Sequence, residues 1–132
     1  MRAVRVKDTA PEMVVRRLLW RMGYRYRVNP KMLPGKPDIV NRSAGWCIFV
    51  HGCFWHGHQN CKLGRLPRSN REWWAAKMEE NRTRDARKET ELIARGLRVL
   101  VVWQCELVDA STLESRLRAF IEQALAPSTS TD

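Results

Sequence analysis

The chain has 132 residues, of which 44% are hydrophobic and 29% charged, and its 24 Lys and Arg residues against 14 Asp and Glu residues give a net charge of +10. This composition predicts one soluble globular domain, because every apolar run is far shorter than the roughly 18 residues that span a bilayer. No signal peptide is recognisable, so we expect a cytoplasmic protein whose four cysteines are metal ligands or free thiols. The positive charge favours a nucleic-acid partner over an anionic membrane.

The first half of the chain predicts one helix and three strands. A capping-box spacing from Thr9 to Glu12 predicts the start of a helix that ends at Gly23. Alternating or continuous apolar segments then predict three strands, the last two forming a hairpin: 24–28, 37–40 and 46–50.

The second half predicts a long helix with an unusual buried stripe. A second capping-box spacing, from Ser69 to Glu72, predicts a helix that is closed by Gly96. Stepping along its apolar face places Asn81 and Asp85 where apolar residues are expected. Polar groups on a buried face need a partner or a function.

A buried strand at 98–103 and an amphipathic helix from 109 complete the order α-β-β-β-α-β-α. The strand after the long helix is most simply parallel to a strand before it. We therefore predict an α/β fold with a mixed sheet flanked by helices. One domain should occupy residues 1–126, followed by a disordered tail at 127–132.

The segment 51–61 contains three histidines and two cysteines, more reactive side chains than a loop requires. Cys53, His58 and Cys61, with Cys105 much later, supply the number and type of ligands found in closed structural zinc sites. The alternative is a set of unrelated buried thiols and a core histidine. A zinc site would connect this loop to the end of the last strand.

Two histidines of the same segment remain after the zinc ligands are assigned. His56 lies between two proposed ligands, so a metal would hold it rigidly without using it, as a general base or acid requires. His51 could lie behind that group or contact a phosphate. The alternative for each is a purely structural histidine.

Three carboxylates could converge on a magnesium ion, which prefers oxygen ligands. Asp38 stands at the opening of a predicted strand, Asp85 on the helix stripe and Glu12 in a first helical turn. Magnesium would stabilise charge on a phosphodiester and help to generate hydroxide from water. Alternatively, Glu12 serves only its capping box, and Asp85 pairs with Arg82 or Arg84.

Pairs of bulky aromatic residues stand beside basic ones. Several proteins insert apolar side chains as wedges between the base pairs of DNA. Phe54 and Trp55 lie in a polar loop, which favours such a use, whereas Trp74 fits the helix stripe, which favours core packing. The neighbouring cations could hold the DNA backbone: Lys62, Arg65, Arg68 and Arg71.

These motifs together resemble the very short patch repair (Vsr) endonucleases, bacterial mismatch-nicking enzymes of the PD-(D/E)xK superfamily. The segments that carry the resemblance are 7–12, 33–38, 49–58, 81–85 and 101–105. The resemblance implies a restriction-endonuclease-like fold. It also implies a Mg²⁺-dependent nick 5′ to the thymine of a T:G mismatch, the product of 5-methylcytosine deamination.

By position, the resemblance implies a role for each candidate residue of the catalytic site. Asp38 resembles the metal-binding carboxylate, and His56 the residue that activates water. Glu12 and Asp85 resemble supporting acids, and the Val50 carbonyl a further magnesium contact. The superfamily's usual second acid and lysine would fall at 49–51, where neither is present, so His56 takes the place of the lysine.

The resemblance also assigns the remaining residues of the loop. Cys53, His58, Cys61 and Cys105 resemble the zinc ligands. Phe54, Trp55 and Trp74 match the aromatic wedge beside the mismatch, so core packing and DNA contact both stay open for Trp74. Apart from the resemblance, His51 stays a candidate DNA contact through a phosphate. Little chain precedes the first predicted helix, whereas family members carry a longer N-terminal arm that grips DNA.

The expected partner is double-stranded DNA with a T:G mismatch, and mismatch-repair accessory proteins are further candidates. We expect a monomer that acts in the bacterial cytoplasm at the nucleoid. Two alternatives remain: an endonuclease of the same fold with another target, and a zinc-stabilised DNA-binding module without catalysis. A pure binder has no need for Asp38, His56 and Asp85 together.

Overall fold

A computed structural model describes residues 10–30, 33, 35–59 and 61–125, with the side chains of 124 and 125 left out, and its elements follow the predicted order. They are α1 (Ala10–Arg21), β1 (Arg27–Val28), β2 (Ile39–Asn41), β3 (Trp46–His51), α2 (Arg71–Ala94), β4 (Arg98–Trp103) and α3 (Ala110–Leu125), with short 3-10 turns at Lys62–Gly64 and Gln104–Val108. The tail predicted at 127–132 lies outside the described residues. Within them, no helix is both long and apolar enough to cross a membrane.

The four strands form one mixed sheet in the order β1-β2-β3-β4. The pairs β1 with β2 and β2 with β3 are antiparallel, whereas β3 and β4 are parallel and are connected through α2. This arrangement confirms the predicted hairpin. It also confirms the α/β fold with a mixed sheet flanked by helices.

One face of the sheet is covered by α1 and α3. Because successive side chains of a strand point to opposite faces, Trp46 and Ile48 of β3 enter this layer. The helices contribute apolar residues at helical spacing: Val15, Leu18, Leu19, Leu113, Leu117 and Ile121. This cluster is the main core, and it holds the helix that carries Glu12.

The opposite face is covered by α2. Cys47 and Phe49 of β3 point into this second layer and pack with Leu92 of α2. Cys47 is fully buried, as expected for a core cysteine. The same alternation directs His51 toward α2, so the fold places the end of β3 beside the helix that carries Asp85.

Two local predictions were wrong. The predicted capping box at 69–72 does not form, because Asn70 precedes α2 with a left-handed φ of 56° and makes no side-chain cap hydrogen bond. The strand predicted at 24–28 is reduced to two residues. The Tyr24 N–H donates to the Leu19 carbonyl at the end of α1, and the Tyr26 hydroxyl donates to the Arg16 carbonyl, so this segment packs on α1 before it joins the sheet.

Candidate active site and metal centre

The candidate active site lies where β2 begins and where β3 and β4 end. Asp38 immediately precedes β2; its backbone N–H donates to the Ile48 carbonyl at 3.1 Å, and its Oδ2 accepts from the Val50 N–H at 2.7 Å. These bonds fix the carboxylate against the end of β3. His51 closes β3 and is paired in register with Trp103, which closes β4.

The negative charge of Glu12 acts on Asp38 at this end of the sheet. Burial raises the pKa of Asp38 from 3.8 to about 6; the negative charge of Glu12 adds to the increase, and the Val50 N–H opposes it. Glu12 is only 1% exposed and accepts a hydrogen bond from Arg16. Its capping-box partner Thr9 lies outside the described residues. A half-buried aspartate with a raised pKa next to a buried glutamate is a strong candidate for a functional site.

His56 and Asp85 form a hydrogen-bonded pair. Nδ1 of His56 lies 2.7 Å from Oδ2 of Asp85, whose side chain is 12% exposed. Burial raises the pKa of Asp85, but the hydrogen bond and positive charge of His56 more than offset this, so the net pKa is lowered. An ionised carboxylate can only accept, so Nδ1 carries the hydrogen, and in the neutral ring the lone pair lies on Nε2. Asp85, one of the two polar residues on the apolar face of α2, therefore has His56 as its partner, and not Arg82 or Arg84.

His51 lies behind His56. The two imidazole rings are stacked, with centroids 3.8 Å apart and an interplanar angle of 2°. His51 is 5% exposed, and burial, together with the neighbouring His56, lowers its pKa to about 3. It is neutral at physiological pH and has little surface left for a phosphate contact, so the geometry favours a role in supporting the His56 ring.

Ligand atoms of His51, His56 and Asp85 lie within 4.8 Å of one another, which raises the question of a second metal site. The lone pairs of an imidazole lie in the plane of the ring. Because the two rings are parallel, their lone pairs cannot converge on one ion. The arrangement instead suits a general base that is backed by an aromatic ring and oriented by a carboxylate.

Helix α2 holds the loop that carries His56. Asn81 Nδ2 donates to the Trp55 carbonyl at 2.7 Å, and Arg82 Nη1 donates to the Gly57 carbonyl at 2.8 Å. Gly57 has a φ of 63°, and a Cβ there would lie 2.4 Å from Arg82 Nη1. Only glycine permits this approach. The backbone on both sides of His56 is thus bonded to one turn of α2, which fixes the direction of its ring.

The fold brings together the four residues of the predicted zinc site. Their ligand atoms all lie within 4.8 Å of one another: Cys53, His58, Cys61 and Cys105. The Cys105 N–H donates to Cys53 Sγ at 3.4 Å, and Cys105 Sγ lies 3.7 Å from His58 Nδ1. The ring of His58 also stacks on Trp103 at 4.0 Å, which fixes its orientation.

The chemistry of these four donors fits zinc. Three thiols and one imidazole are a common set for a tetrahedral structural site. Burial raises the pKa of the Cys53 thiol to about 12, so a bound cation would be needed to keep it as a thiolate at neutral pH. Burial also acts on Cys61, but backbone N–H groups of Leu63 and Gly64 help to lower its pKa overall. These two N–H donors therefore stabilise the thiolate form of Cys61, which is the form that binds a metal.

Four aromatic residues form a continuous surface group, here called the aromatic cluster: Phe54, Trp55, Trp73 and Trp74. The Phe54 centroid lies 4.9 Å from that of Trp55 and 5.2 Å from that of Trp74. Trp55 is 44% exposed and Trp73 is 59% exposed. Trp74 is half-buried, so it is anchored in the protein while it supports the exposed rings.

Two residues with clear structural roles were not identified from the sequence. Trp103 contacts His51 edge to face at 5.2 Å and stacks on His58, so one ring connects the two histidine sites. The signal in the sequence was its position, two residues before the proposed zinc ligand Cys105. Arg82 was considered only as a partner for Asp85, whereas it bonds the loop and pairs with Glu79.

Comparison with known proteins bears on this geometry. A profile of the DNA mismatch endonuclease Vsr family matches residues 1–63. The type II nicking enzyme V.XorIIP of Xanthomonas oryzae is 55% identical over 122 residues, which span 92% of this chain and 89% of that protein. DNA mismatch endonuclease Vsr of Escherichia coli is 43% identical over 107 residues, or 81% of this chain and 68% of that protein.

The chain belongs to the Vsr family. A further relative, the type II nicking enzyme V.NmeAIP of Neisseria meningitidis, is 42% identical across 93% of this chain and 87% of that protein. As a Vsr-family member the chain has the PD-(D/E)xK nuclease fold, is a DNA endonuclease, and has DNA as its partner. The family implies the use of a divalent metal ion, and the four Cys and His residues form a possible metal site.

Proposed function

We propose that this chain nicks one strand of duplex DNA 5′ to the thymine of a T:G mismatch by Mg²⁺-dependent hydrolysis, and so initiates very short patch repair. The observation that carries the proposal is the loop 51–58. It presents a carboxylate-oriented histidine, His56, beside Asp38, and places two aromatic rings next to that histidine in the chain. A chemical group and an apolar wedge on one short segment would couple recognition to cleavage.

The relatives support both halves of this proposal. One is named a DNA mismatch endonuclease, and two are named nicking enzymes, a term for cleavage of one strand. The proposal combines the two names into a nick at a mismatch. The T:G pair, the position of the nick and the use of Mg²⁺ belong to the proposal alone.

Asp38, with the Val50 carbonyl, would hold the magnesium ion. Both offer hard oxygen ligands, which magnesium prefers. Burial and the negative charge of Glu12 raise the pKa of Asp38, and a bound dication would favour its ionised form. When bound, magnesium stabilises negative charge on the phosphodiester and acidifies water. Glu12 would add negative potential to the same site.

His56 would act as the general base. Nε2 accepts a proton from a water molecule as the water oxygen bonds to phosphorus and the bond to the leaving sugar oxygen breaks. Nδ1 keeps its hydrogen bond to Asp85, whose negative charge stabilises the imidazolium that forms. His51 stays neutral beneath the ring, so it adds no positive charge that would oppose protonation of His56.

The aromatic cluster would enter the stack at the mismatch. Its rings present apolar faces at the protein surface, and insertion of such side chains between base steps costs a few kcal/mol of unstacking. A mismatched pair stacks and pairs less well than a matched one, so this cost is lowest at the mismatch. The wedge therefore favours T:G sites before the strand reaches His56.

The zinc site would be structural, because four protein side chains would fill all four coordination positions and leave none open for substrate. Residues 1–126 would act as one nuclease domain, as a monomer at the bacterial nucleoid. Mismatch-repair accessory proteins would be its protein partners.

A nicking assay tests the proposal on two labelled duplexes that differ only in one T:G or T:A pair, each with added Mg²⁺ or with no added divalent ion. We expect the wild type to nick only the T:G duplex, and only with Mg²⁺. Asp38→Asn should be inactive, whereas Asp109→Asn, the same change at the exposed start of α3, should be fully active.

The alternatives give different results in the same assay. Equal nicking of both duplexes would refute mismatch specificity and indicate an endonuclease of the same fold with another target. Binding to both duplexes without nicking would indicate the DNA-binding module. Full activity of Asp38→Asn would refute the assignment of the magnesium ligand.

A further inference from the structure

A cavity of about 510 Å³ lies between the loop of the proposed zinc ligands and the first turns of α2. We call it the basic cleft, because four of its lining residues are cationic: Lys62, Arg65, Arg71 and Arg82. No aspartate or glutamate lines it among the residues that the structure describes. A concave surface of one charge sign concentrates the electric field and attracts ions of the opposite sign.

Most of this positive charge is available to a ligand. Arg82 is committed to the Gly57 carbonyl and to Glu79. Lys62, Arg65 and Arg71 are exposed, and none of them forms an ion pair within the described part of the chain. A zinc ion held by three thiolates would carry a net charge of −1, which offsets only one of these three cations.

The basic cleft adjoins a second cavity at the candidate active site. That cavity, of about 300 Å³, is lined by His51, His56 and Asp85, and it shares Gly57, His58 and Arg82 with the basic cleft. The two cavities therefore have a common wall directly after the general base in the chain. A polymer with regularly spaced anions that places one of them at His56 would meet a cationic surface on the other side of this wall.

We propose that the basic cleft binds a backbone phosphate of the nicked strand adjacent to the scissile phosphate, through Lys62, Arg65 and Arg71. This inference rests on the proposed function, because it places the scissile phosphate at His56. Arginine offers a planar fork of donors that matches phosphate oxygens, and lysine offers a compact charge. The contact would be independent of sequence and would fix the register of the strand at the active site.

The loop supplies a matched control. The sequence grouped Arg68 with the cations that could hold the DNA backbone, and it is exposed like Arg65. Unlike the other three, however, it does not line the basic cleft, so the proposed contact does not include it. Arg65→Gln and Arg68→Gln remove the same charge from residues three positions apart. Any difference between these variants reports the cleft and not the overall charge of the protein.

The first experiment measures the affinity for a T:G duplex at several salt concentrations, without added divalent ion. We expect Lys62→Gln and Arg65→Gln each to lower the slope of log K against log salt by about 1, the value for one lost phosphate contact, and Arg68→Gln to leave it close to wild type. Unchanged zinc content and thermal midpoint would establish that the variants are folded. Equal slopes for Arg65→Gln and Arg68→Gln would overturn the inference.

The second experiment locates the phosphate. A neutral methylphosphonate replaces single phosphates on either side of the nick site in otherwise identical duplexes. We expect one flanking position to weaken wild-type binding, and the same position to cause little further loss in Arg65→Gln, because both changes remove one contact. Additive losses at every position would show that the residue contacts no phosphate of that strand.

The two proposals fail in different ways. A wild type that binds duplexes but does not nick the T:G substrate refutes the function, while the salt slopes and the methylphosphonate series still test the basic cleft. A wild type that nicks T:G duplexes, with no effect of Lys62→Gln or Arg65→Gln on the slope, refutes the basic cleft alone.

Discussion

Replacing Asp38 by asparagine should make the protein more stable at pH 8, although it removes activity. The carboxylate is held in a buried position close to Glu12, and its pKa is raised to about 6 from an ordinary value of 3.8. The folded state therefore binds this proton more tightly than the unfolded state does. Ionising Asp38 at neutral pH costs folding free energy, and asparagine has the same shape without the charge.

The size of the effect follows from the shift in pKa. A difference between 3.8 and about 6 corresponds to about 3 kcal/mol of lost stability. Below pH 3.8 the carboxyl is protonated in both states, and its contribution is zero. Between pH 4 and 6 the unfolded state loses its proton first, so stability falls as the pH rises, and above pH 6 the full cost applies.

Urea unfolding at pH 4 and pH 8, without added Mg²⁺, measures this difference. We expect Asp38→Asn to exceed the wild type by about 2 to 3 kcal/mol at pH 8 and to match it near pH 4. Asp109→Asn is the matched control: that carboxylate accepts hydrogen bonds from Thr112, which lower its pKa, and asparagine also caps helices. Added Mg²⁺ should stabilise the wild type and not Asp38→Asn.

Two results would refute the reasoning. If Asp38→Asn gave no gain at pH 8, the carboxylate would not be destabilised by its surroundings. If the gain were the same at pH 4 and pH 8, it would arise from packing or hydrogen bonding and not from charge. Either result would also weaken the argument that this site is built to receive a cation.

Three further predictions address the other parts of the site. Asp85→Asn should slow nicking by up to about 10² to 10⁴-fold, the usual contribution of a general base, because Asp85 orients the base His56. DNA affinity in a filter-binding assay should stay the same, and an equal loss of affinity would contradict the assignment. Cys105→Ser should lose bound zinc and unfold at a lower temperature, whereas Cys47→Ala should keep about one zinc per chain by metal analysis. Trp73→Ala should weaken binding to a T:G duplex by about 5 to 100-fold, the range for loss of one stacking contact, and Trp20→Ala, at the 75% exposed tryptophan of α1, should not.

The sequence was sufficient for the architecture around the central strands. The segment 46–50 has a pattern that is typical of strands buried on both faces, and it lies in β3, whose residues are nearly all buried. The prediction of a buried strand at 98–103 was right about the strand and wrong about its burial: β4 lies at the edge of the sheet, and within it only Val102 is buried. The long helix made a parallel arrangement with an earlier strand the simplest prediction, and β4 is parallel to β3. The co-location of Cys53, Cys61 and Cys105 followed, because a loop after one strand and a turn after its neighbour meet at the same edge.

The interactions within the active site could not be predicted in the same way. The stack of His51 on His56 depends on how the loop turns back after β3, and the contacts of Trp103 depend on the register that pairs it with His51. Neither is encoded in a local pattern. The predicted capping box at 69–72 failed for the opposite reason: the local pattern was present, but Asn70 adopts a left-handed conformation that ends the loop differently.

The position of His56 shows how this loop can be rigid without an apolar core of its own. In the chain, His56 lies between Cys53 and His58, two proposed ligands of one zinc ion. Side chains of α2 donate hydrogen bonds to the carbonyl groups of the residues directly before and after His56. The ring is then fixed by Asp85 on its edge and by His51 on its face. Every one of these contacts is polar, metal-dependent or aromatic. A general base held in this way can stand at an open surface, which a substrate as large as duplex DNA requires, because it does not need burial to keep its orientation.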